Sequence, residues 1–527
     1  MAKGQLYHEL PFPRGGVNTQ DGFTHQANGT IYDALNVRSM DPIFNADRGG
    51  QRGGHTRYLA GTLNGSAPIQ NINHVIRSAT SYSTGGPSVR TNTLVAVAGG
   101  TVKTASRGGV YGAVTNGAAA LSTTTPFISS TVLLSKIYYA DGLNWKYYDP
   151  ATNTVVTMVA TFGALPIDSN GYAPRLITSW RGRLVWSGLL GDPQNWFMSR
   201  QFVPLDYDYS PAFTTASQAV AGNNCEAGLV PDIINTLVSY SDDVLAIGGD
   251  HSLWQLTGDP MAGGQIDRIS DTVGMAFGDS WCKDNLGNVW FVGSRGGLYV
   301  FRPTPGQPAQ PERVSALRVD DQLMRIDFAE NIVRLGWDDS LQAVMFYITP
   351  IAGGPTTNWC FDTQNKAFWP DTFGNPDHNC TATHLMDGDA VDDRVLLLGR
   401  YDGAIQFLDW HSKQDDGTAI ESHLKIGPIQ MQGAKARITE LISVLGEQSD
   451  KVKLEIFTGH SAEHAYNAAT PRFTRTIGAG RSEAIRPGTT GQALFIKLSN
   501  SKFDETWQFE ALYAVLAGMG LPGARQL

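Results

Sequence analysis

The best candidate for a metal site in this 527-residue chain is HNCTATH, where His378, Cys380 and His384 combine two imidazoles with a thiol. These donors suit zinc, but a closed zinc site takes four, and no fourth ligand stands at the usual spacing. An ordinary polar loop is expected there, with no resident metal. The acidic run DGDAVDD, with Asp387, Asp389, Asp392 and Asp393, loosely resembles a calcium loop. Such a loop needs a glycine at its sixth place and a bidentate glutamate at its twelfth, and this run has neither. A solvated turn ahead of the strand VLLLG is the expected structure.

Catalytic signatures are missing. The chain has no G-x-S-x-G elbow, no H-E-x-x-H and no G-x-x-x-x-G-K-[ST], so serine-hydrolase, metalloprotease and nucleotide chemistry lose their usual marks. The Ser-x-Asp-x-Gly-x-Thr-Trp turns of sialidase-type propellers do not occur either. Paired carboxylates for glycoside hydrolysis are set by tertiary distance, so scattered Asp and Glu do not identify them. Trp254, Trp290, Trp359 and Tyr299 could form a sugar platform, yet they stand on strands where packing also calls for large rings, and core packing is the favoured reading. The expectation is a non-enzymatic protein without cofactor.

The elements that carry these residues are short strands. Helical periodicity is nearly absent, and β-rich runs broken by Gly, Asn or Asp recur along a chain with 58 glycines. One pattern repeats: an apolar strand, a Gly-containing turn, then a strand usually bearing an aromatic. It can be read from Thr93, Lys136, Arg183, Val244, Val289, Ala343 and Val395. The spacings, roughly 43 to 61 residues, approach the ~40–50 of one four-stranded propeller blade. The expected fold is all-β: a β-propeller of six or seven blades over residues 61–420, preceded by an extended N-terminal arm at 1–60. Residues 421–527 hold longer alternating strands such as KVKLEIFTG and QALFIKLSN, read as a C-terminal β-sandwich domain.

Bulk properties narrow the class. The net charge of −9 argues against coating nucleic acid by phosphate neutralisation. Four cysteines, Cys225, Cys282, Cys360 and Cys380, show no paired spacing, so a reduced folding environment is expected. The opening MAKGQLYHELPFP lacks the apolar core of a secretory signal, and no run approaches a membrane span, so synthesis in a cytoplasm is expected.

Both ends of the chain resemble the packaged-DNA stabilisation or tail-nozzle proteins of podoviruses. The opening carries Gly15, Gly16 and Asn18 of GGVNTQDGF, then Ala34, Leu35, Asn36 and Arg38 of ALNVR, then the basic glycine turn DRGGQRGG at 47–54. The central HSLWQLTGDP and the Gly-rich tail GMGLPGARQL are similar as well. The turn departs from the family's Arg-Pro-Gly type, and the tail keeps one arginine, Arg525. The resemblance implies a virion protein of a short-tailed phage: a tail nozzle ring, of six copies, docked below the adaptor ring. The ring would retain the packaged genome and open for ejection. Genomic DNA would pass without sequence-specific binding, and tail fibres are a further candidate contact.

The charge balance fits such a channel. From Glu421 onward 12 Lys plus Arg face 10 Asp plus Glu, which leaves 28 against 39, a net of −11, upstream. A wall of like charge keeps a sliding duplex from sticking. Asp206, Asp208, Asp242 and Asp243, flanking the longest insertion, are the candidate channel-lining acids. The alternative is a tail-tip propeller that binds or cleaves host surface glycan. The arm and the sandwich are the expected contact surfaces, and deleting the arm is expected to weaken attachment without unfolding the propeller.

Overall fold

The computed structural model describes residues 5–40, 48–79, 89–210, 215–304, 310–388, 393–430 and 435–519. Strands dominate; the α-helices among these residues are the single turns Asp320–Leu323 and Ala462–Tyr466. Among the described residues between 69 and 419, seven small sheets follow one another in chain order, the first six antiparallel meanders and the seventh a hairpin extended by a strand from the N-terminal segment; the short parallel pair Phe162–Gly163 with Asp206–Tyr207 lies beside them. Their first strands are Ile69–Ala79, Ser129–Leu133, Leu176–Trp180, Ile234–Ser241, Trp281–Lys283, Asn331–Asp338 and Cys380–Asp387. The hairpins read from the sequence fall on the second and third strands of each sheet, as in Val244–Gly249 with Leu253–Thr257.

The sheets stack face to face around an axis. First strands of neighbouring sheets pack side by side, and the last, Cys380–Asp387, returns to the first, Ile69–Ala79. Between the fourth and fifth sheets the link runs through Thr236, whose hydroxyl donates to the carbonyls of Ala276 and Gly278. Each interface has its own apolar filling. Val95 and Val97 of the first sheet meet Ile137 and Tyr139 of the second. Trp180 and Trp196 of the third meet Leu245 and Leu256 of the fourth, and Val238 of the fourth meets Phe291 and Phe301 of the fifth. A small twisted sheet buries both faces only by such stacking, and this arrangement is that of a β-propeller.

The N-terminal segment, expected as an extended arm, is built into these sheets. Gly54–Arg57 pairs antiparallel with Ile405–Asp409 and supplies the fourth strand of the seventh sheet. Gln5–Pro11 runs along Phe509–Met519, and Asp33–Leu35 pairs with Ser422–Gln430. Downstream of residue 420 the strands form two five-stranded sheets. One contains Lys435–Leu445 and Phe509–Met519; the other contains Ser422–Gln430, Val452–Gly459 and Ala493–Asn500. One hydrophobic cluster runs from Ile438, Leu441 and Leu512 through Ile456 and Ile496 to Phe346 and Trp369 of the sixth propeller sheet. Phe12 joins the two regions, its ring 5.5 Å from Trp369 and 6.3 Å from Phe509.

Candidate functional site: the N-terminal interlock

The residues that carry the opening motif converge on one buried junction between the N-terminal segment, the sixth and seventh sheets and the start of the C-terminal strands. Gly15 and Gly16 lead into it. Gly16 has φ +71°, and a Cβ there would lie 2.7 Å from the carbonyl oxygen of Phe368, so only glycine fits the approach. The next amide, Val17, donates to that same oxygen at 2.9 Å. Asn18 is buried and caps the following turn, its Oδ1 accepting from the amides of Gln20 and Asp21. Ala34, buried, and Leu35, half-buried, belong to the short strand paired with Ser422–Gln430.

Asn36 is the hub. It adopts φ +53°, a left-handed conformation that asparagine tolerates better than most residues. Its Nδ2 donates to the Glu421 carbonyl at 2.6 Å and to Thr372 Oγ1 at 3.2 Å. Its Oδ1 accepts from the Thr372 amide at 2.9 Å and from Arg52 Nε at 3.0 Å. One amide side chain thereby ties three chain segments together, with every donor and acceptor used.

Two arginines complete the junction. Arg38 forms a fork with Asp371, Nη1 donating to Oδ1 at 2.8 Å and Nη2 to Oδ2. Arg52 forms a second fork with Asp415 at 2.9 and 2.6 Å. Its remaining N–H groups reach the carbonyls of Gly53 and Thr372, so the guanidinium is fully satisfied although the side chain is only 2% exposed. Burial works against both charges, and the facing carboxylates outweigh it, holding each guanidinium above its ordinary pKa. Asp415 is held well below the ordinary carboxylate value: burial would raise it, but the Arg52 charge and hydrogen bonds from Arg52 and His55 prevail. His55, buried against the same carboxylate, is pushed down by desolvation.

The other predicted residues lie elsewhere. Asp206 is buried, with Oδ1 accepting from the Asp208 amide and Oδ2 3.5 Å from Arg200 Nη1. Asp208 caps the Ser210 amide. Asp242 and Asp243 form the turn after Ile234–Ser241 and are bridged by Arg181, which donates to the Asp242 carbonyl and to Asp243 Oδ1. These four acids are held by turns and arginines, and none stands on a first strand. Asp387 pairs with Arg394 and Asp393 with Arg107, while Asp389 and Asp392 lie outside the described residues, as does Arg525. Trp290 and Trp359 are buried between sheets, and Tyr299 stacks on Phe291 at 5.4 Å. Trp254 is half-buried, donating to Ser252 Oγ.

His378, Cys380 and His384 do not converge. Cys380 points into the core, where its Sγ reaches the Ala382 carbonyl, and no group of three potential ligands occurs among the described residues. All four cysteines are free thiols. His384 instead meets His74 across the join of the seventh and first sheets, Nε2 to Nδ1 at 2.6 Å. Burial and then the His74 charge push His384 down to about 3; burial lowers His74 too, opposed by Asp387. A histidine whose folded pKa lies below its unfolded 6.5 contributes stability that is complete above 6.5 and is lost as pH falls toward the folded value. Unfolding free energy is therefore expected to drop by on the order of 2 kcal/mol between pH 6.5 and 4. His384→Gln should flatten that limb in urea titrations; an unchanged pH profile would refute the assignment.

Comparison with known proteins adds little. No family model matches the chain, and no curated protein does. Among solved structures it is similar to the extracellular domain of a hybrid two-component system from B. thetaiotaomicron, with TM-score 0.39 and 11% identity, over 78% of this chain and 46% of that one. It is also similar to the extracellular domain of a one-component system from the same organism, with TM-score 0.40 and 9% identity, over 92% and 63%. A third is virginiamycin B lyase from Staphylococcus aureus, with TM-score 0.37 and 9% identity, over 67% and 97%. The chain spans about half to two thirds of the length of the two extracellular domains. Among the described residues no helix is long and apolar enough to cross a membrane.

Proposed function

We propose that this chain is a structural virion protein of a short-tailed phage, the subunit of a tail nozzle ring, and that it acts mechanically and not as an enzyme. Its body is read as a seven-bladed propeller closed by the N-terminal strand Gly54–Arg57, with the two C-terminal sheets as a β-sandwich. Six copies form a closed ring in the tail below the adaptor ring, with tail fibres as a further contact, and the genome passes between subunits.

The observation that carries this reading is the placement of the motif. Asn36 and Arg38, together with Gly16 and the arginine of the basic turn, Arg52, are all used in one junction that welds propeller and C-terminal strands into a single body. A subunit that holds back a pressurised genome needs such rigidity between its parts. Breaking one buried, hydrogen-bonded ion pair costs about 3–5 kcal/mol. The motif is architectural, which suits a family defined by assembly.

Image reconstruction of assembled particles is expected to show six copies in a closed ring under the adaptor. Particles made without the chain are expected to package DNA and then lose it. Stable DNA-filled particles lacking the chain, or three-fold symmetry at the distal tail, would overturn the reading. Hydrolysis of host polysaccharide by the purified protein, abolished by one carboxylate substitution, would favour the glycan reading instead.

A further inference from the structure

At the end of the propeller where the first strands begin lies a cavity of about 220 Å³. Its wall is drawn from the entries to the second, third, fifth and sixth sheets and includes Phe127, Arg175, Phe277, Phe328, Asn331 and Arg334. A neighbouring space of about 180 Å³ shares Thr125, Pro126, Ile332 and Ile351 with it, so the two hollows adjoin.

The two arginines are unusual in what they lack. Arg334 is 3% exposed and donates to the carbonyls of Thr381 and Val333, yet its Nη2 has no hydrogen-bond partner. Arg175 Nε is likewise buried without a partner. Neither guanidinium has a carboxylate at ion-pairing distance among the described residues; Asp279 acts on Arg334 only from farther away. Instead each cation lies over an aromatic face, Arg334 4.3 Å from the Phe127 ring centre and Arg175 4.8 Å from that of Phe277. The two rings meet edge to face at 5.9 Å. Burial lowers the pKa of both arginines, the mark of charge short of a counter-ion. Arg38 and Arg52, by contrast, are forked to carboxylates, and the buried Arg183 has Asp259 3.6 Å away.

We propose that this hollow binds a small organic carboxylate with an apolar body, the anion taken by Arg334 and Arg175 and the body by Phe127, Phe277, Phe328 and Ile332. A buried cation with an unused N–H calls for an anion, and charge-assisted hydrogen bonds in a desolvated site are strong. The apolar remainder of the wall selects the carboxylate. A phosphate dianion is more heavily hydrated and costs more to bring into a space with so apolar a wall than a carboxylate of single charge.

The test is calorimetric titration of the full chain with phenylacetate, with phenylethanol as the neutral analogue and phenyl phosphate as the alternative anion. Phenylacetate is expected to bind on the order of tenfold or more tighter than phenylethanol. Arg175→Met and Arg334→Met should each abolish that preference, whereas Arg268→Met, on the outer edge of the fourth sheet, should keep it. Equal affinity for phenylacetate and phenylethanol would overturn the proposal, as would a preference that survives both substitutions. Tighter binding of phenyl phosphate would overturn the carboxylate assignment. Should Arg334→Met fail to fold, the ligand comparison on the unaltered chain and Arg175→Met still decide the matter.

Discussion

Replacing Arg52 by alanine is expected to lower the unfolding free energy by about 3–5 kcal/mol, the largest effect of any single substitution in the interlock. The reason is the partner left behind. Asp415 has a fully buried side chain, and without Arg52 its carboxylate keeps only the His55 imidazole and amide. Asn36 Oδ1 and the Thr372 carbonyl lose donors in the same step. Urea unfolding followed by tryptophan fluorescence should show the midpoint fall with little change in slope. The pair Arg52→Met with Asp415→Leu should recover part of the loss, because it removes both charges, but not all, since the bonds to Asn36 and Thr372 stay broken.

The pH dependence separates this pair from the histidines. Asp415 has a folded pKa below its unfolded 3.8, so its contribution is complete above 3.8 and disappears only as pH falls further. Asp415→Asn should therefore flatten the profile below pH 3.8, while the limb between 6.5 and 4 comes from the histidines that burial pushes down, His74, His378 and His384 together with His55 beside Asp415. A loss under 1 kcal/mol on Arg52→Ala, about the worth of a surface pair, would show that the junction does not hold the fold together.

What could be read from the sequence follows from where each strand sits. Second strands are the most deeply covered by neighbouring sheets, so Val244–Gly249 and Val289–Val292 are buried throughout and their hairpins stand out. Two of the fourth strands, Val220–Ala221 and Glu312–Arg313, have two residues each and left no pattern to find. The N-terminal strands escaped notice for a different reason. Gly54–Arg57 is four residues long and pairs with Ile405–Asp409, about 350 positions away, so no local signal marks it as part of a sheet.

The same distance hid the ion pairs. Arg52 and Asp415 are 363 positions apart, and the acids that complete both forks, Asp371 and Asp415, belong to no motif. The arginine-glycine run showed a close-packed backbone but not what it packs against. In HNCTATH, ligand types were legible while direction was not: His378 precedes the strand, Cys380 turns into the core and His384 faces His74. Arg175 and Arg334 carried no signal either, since what distinguishes them is the lack of an acidic partner, a purely tertiary property.

Removing residues 1–57 is expected to abolish cooperative folding, which reverses the expectation drawn from the sequence that this segment could be deleted without unfolding the propeller. The truncation takes away the fourth strand of the seventh sheet and bares the edge Ile405–Asp409 at the point where the ring of sheets closes. It strips Gln5–Pro11 from Phe509–Met519 and Asp33–Leu35 from Ser422–Gln430, exposing an edge in each C-terminal sheet. Unpaired edges of this kind template aggregation. It also leaves Asp371 and Asp415 buried without their arginines and opens the space filled by Phe12 and Val37. Two stranded carboxylates alone cost about 3–5 kcal/mol each, which together matches much of the 5–15 kcal/mol that a folded domain has in hand. A shorter deletion, residues 1–11, removes only one edge strand and keeps Asn36, Arg38, Arg52 and Gly54–Arg57, so it should fold with a reduced midpoint. Differential scanning calorimetry distinguishes the cases: the shorter deletion is expected to give a single transition, and the longer one none, with the protein recovered as aggregate. A cooperative transition in the longer deletion close to that of the whole chain would show that the propeller closes without its N-terminal strand.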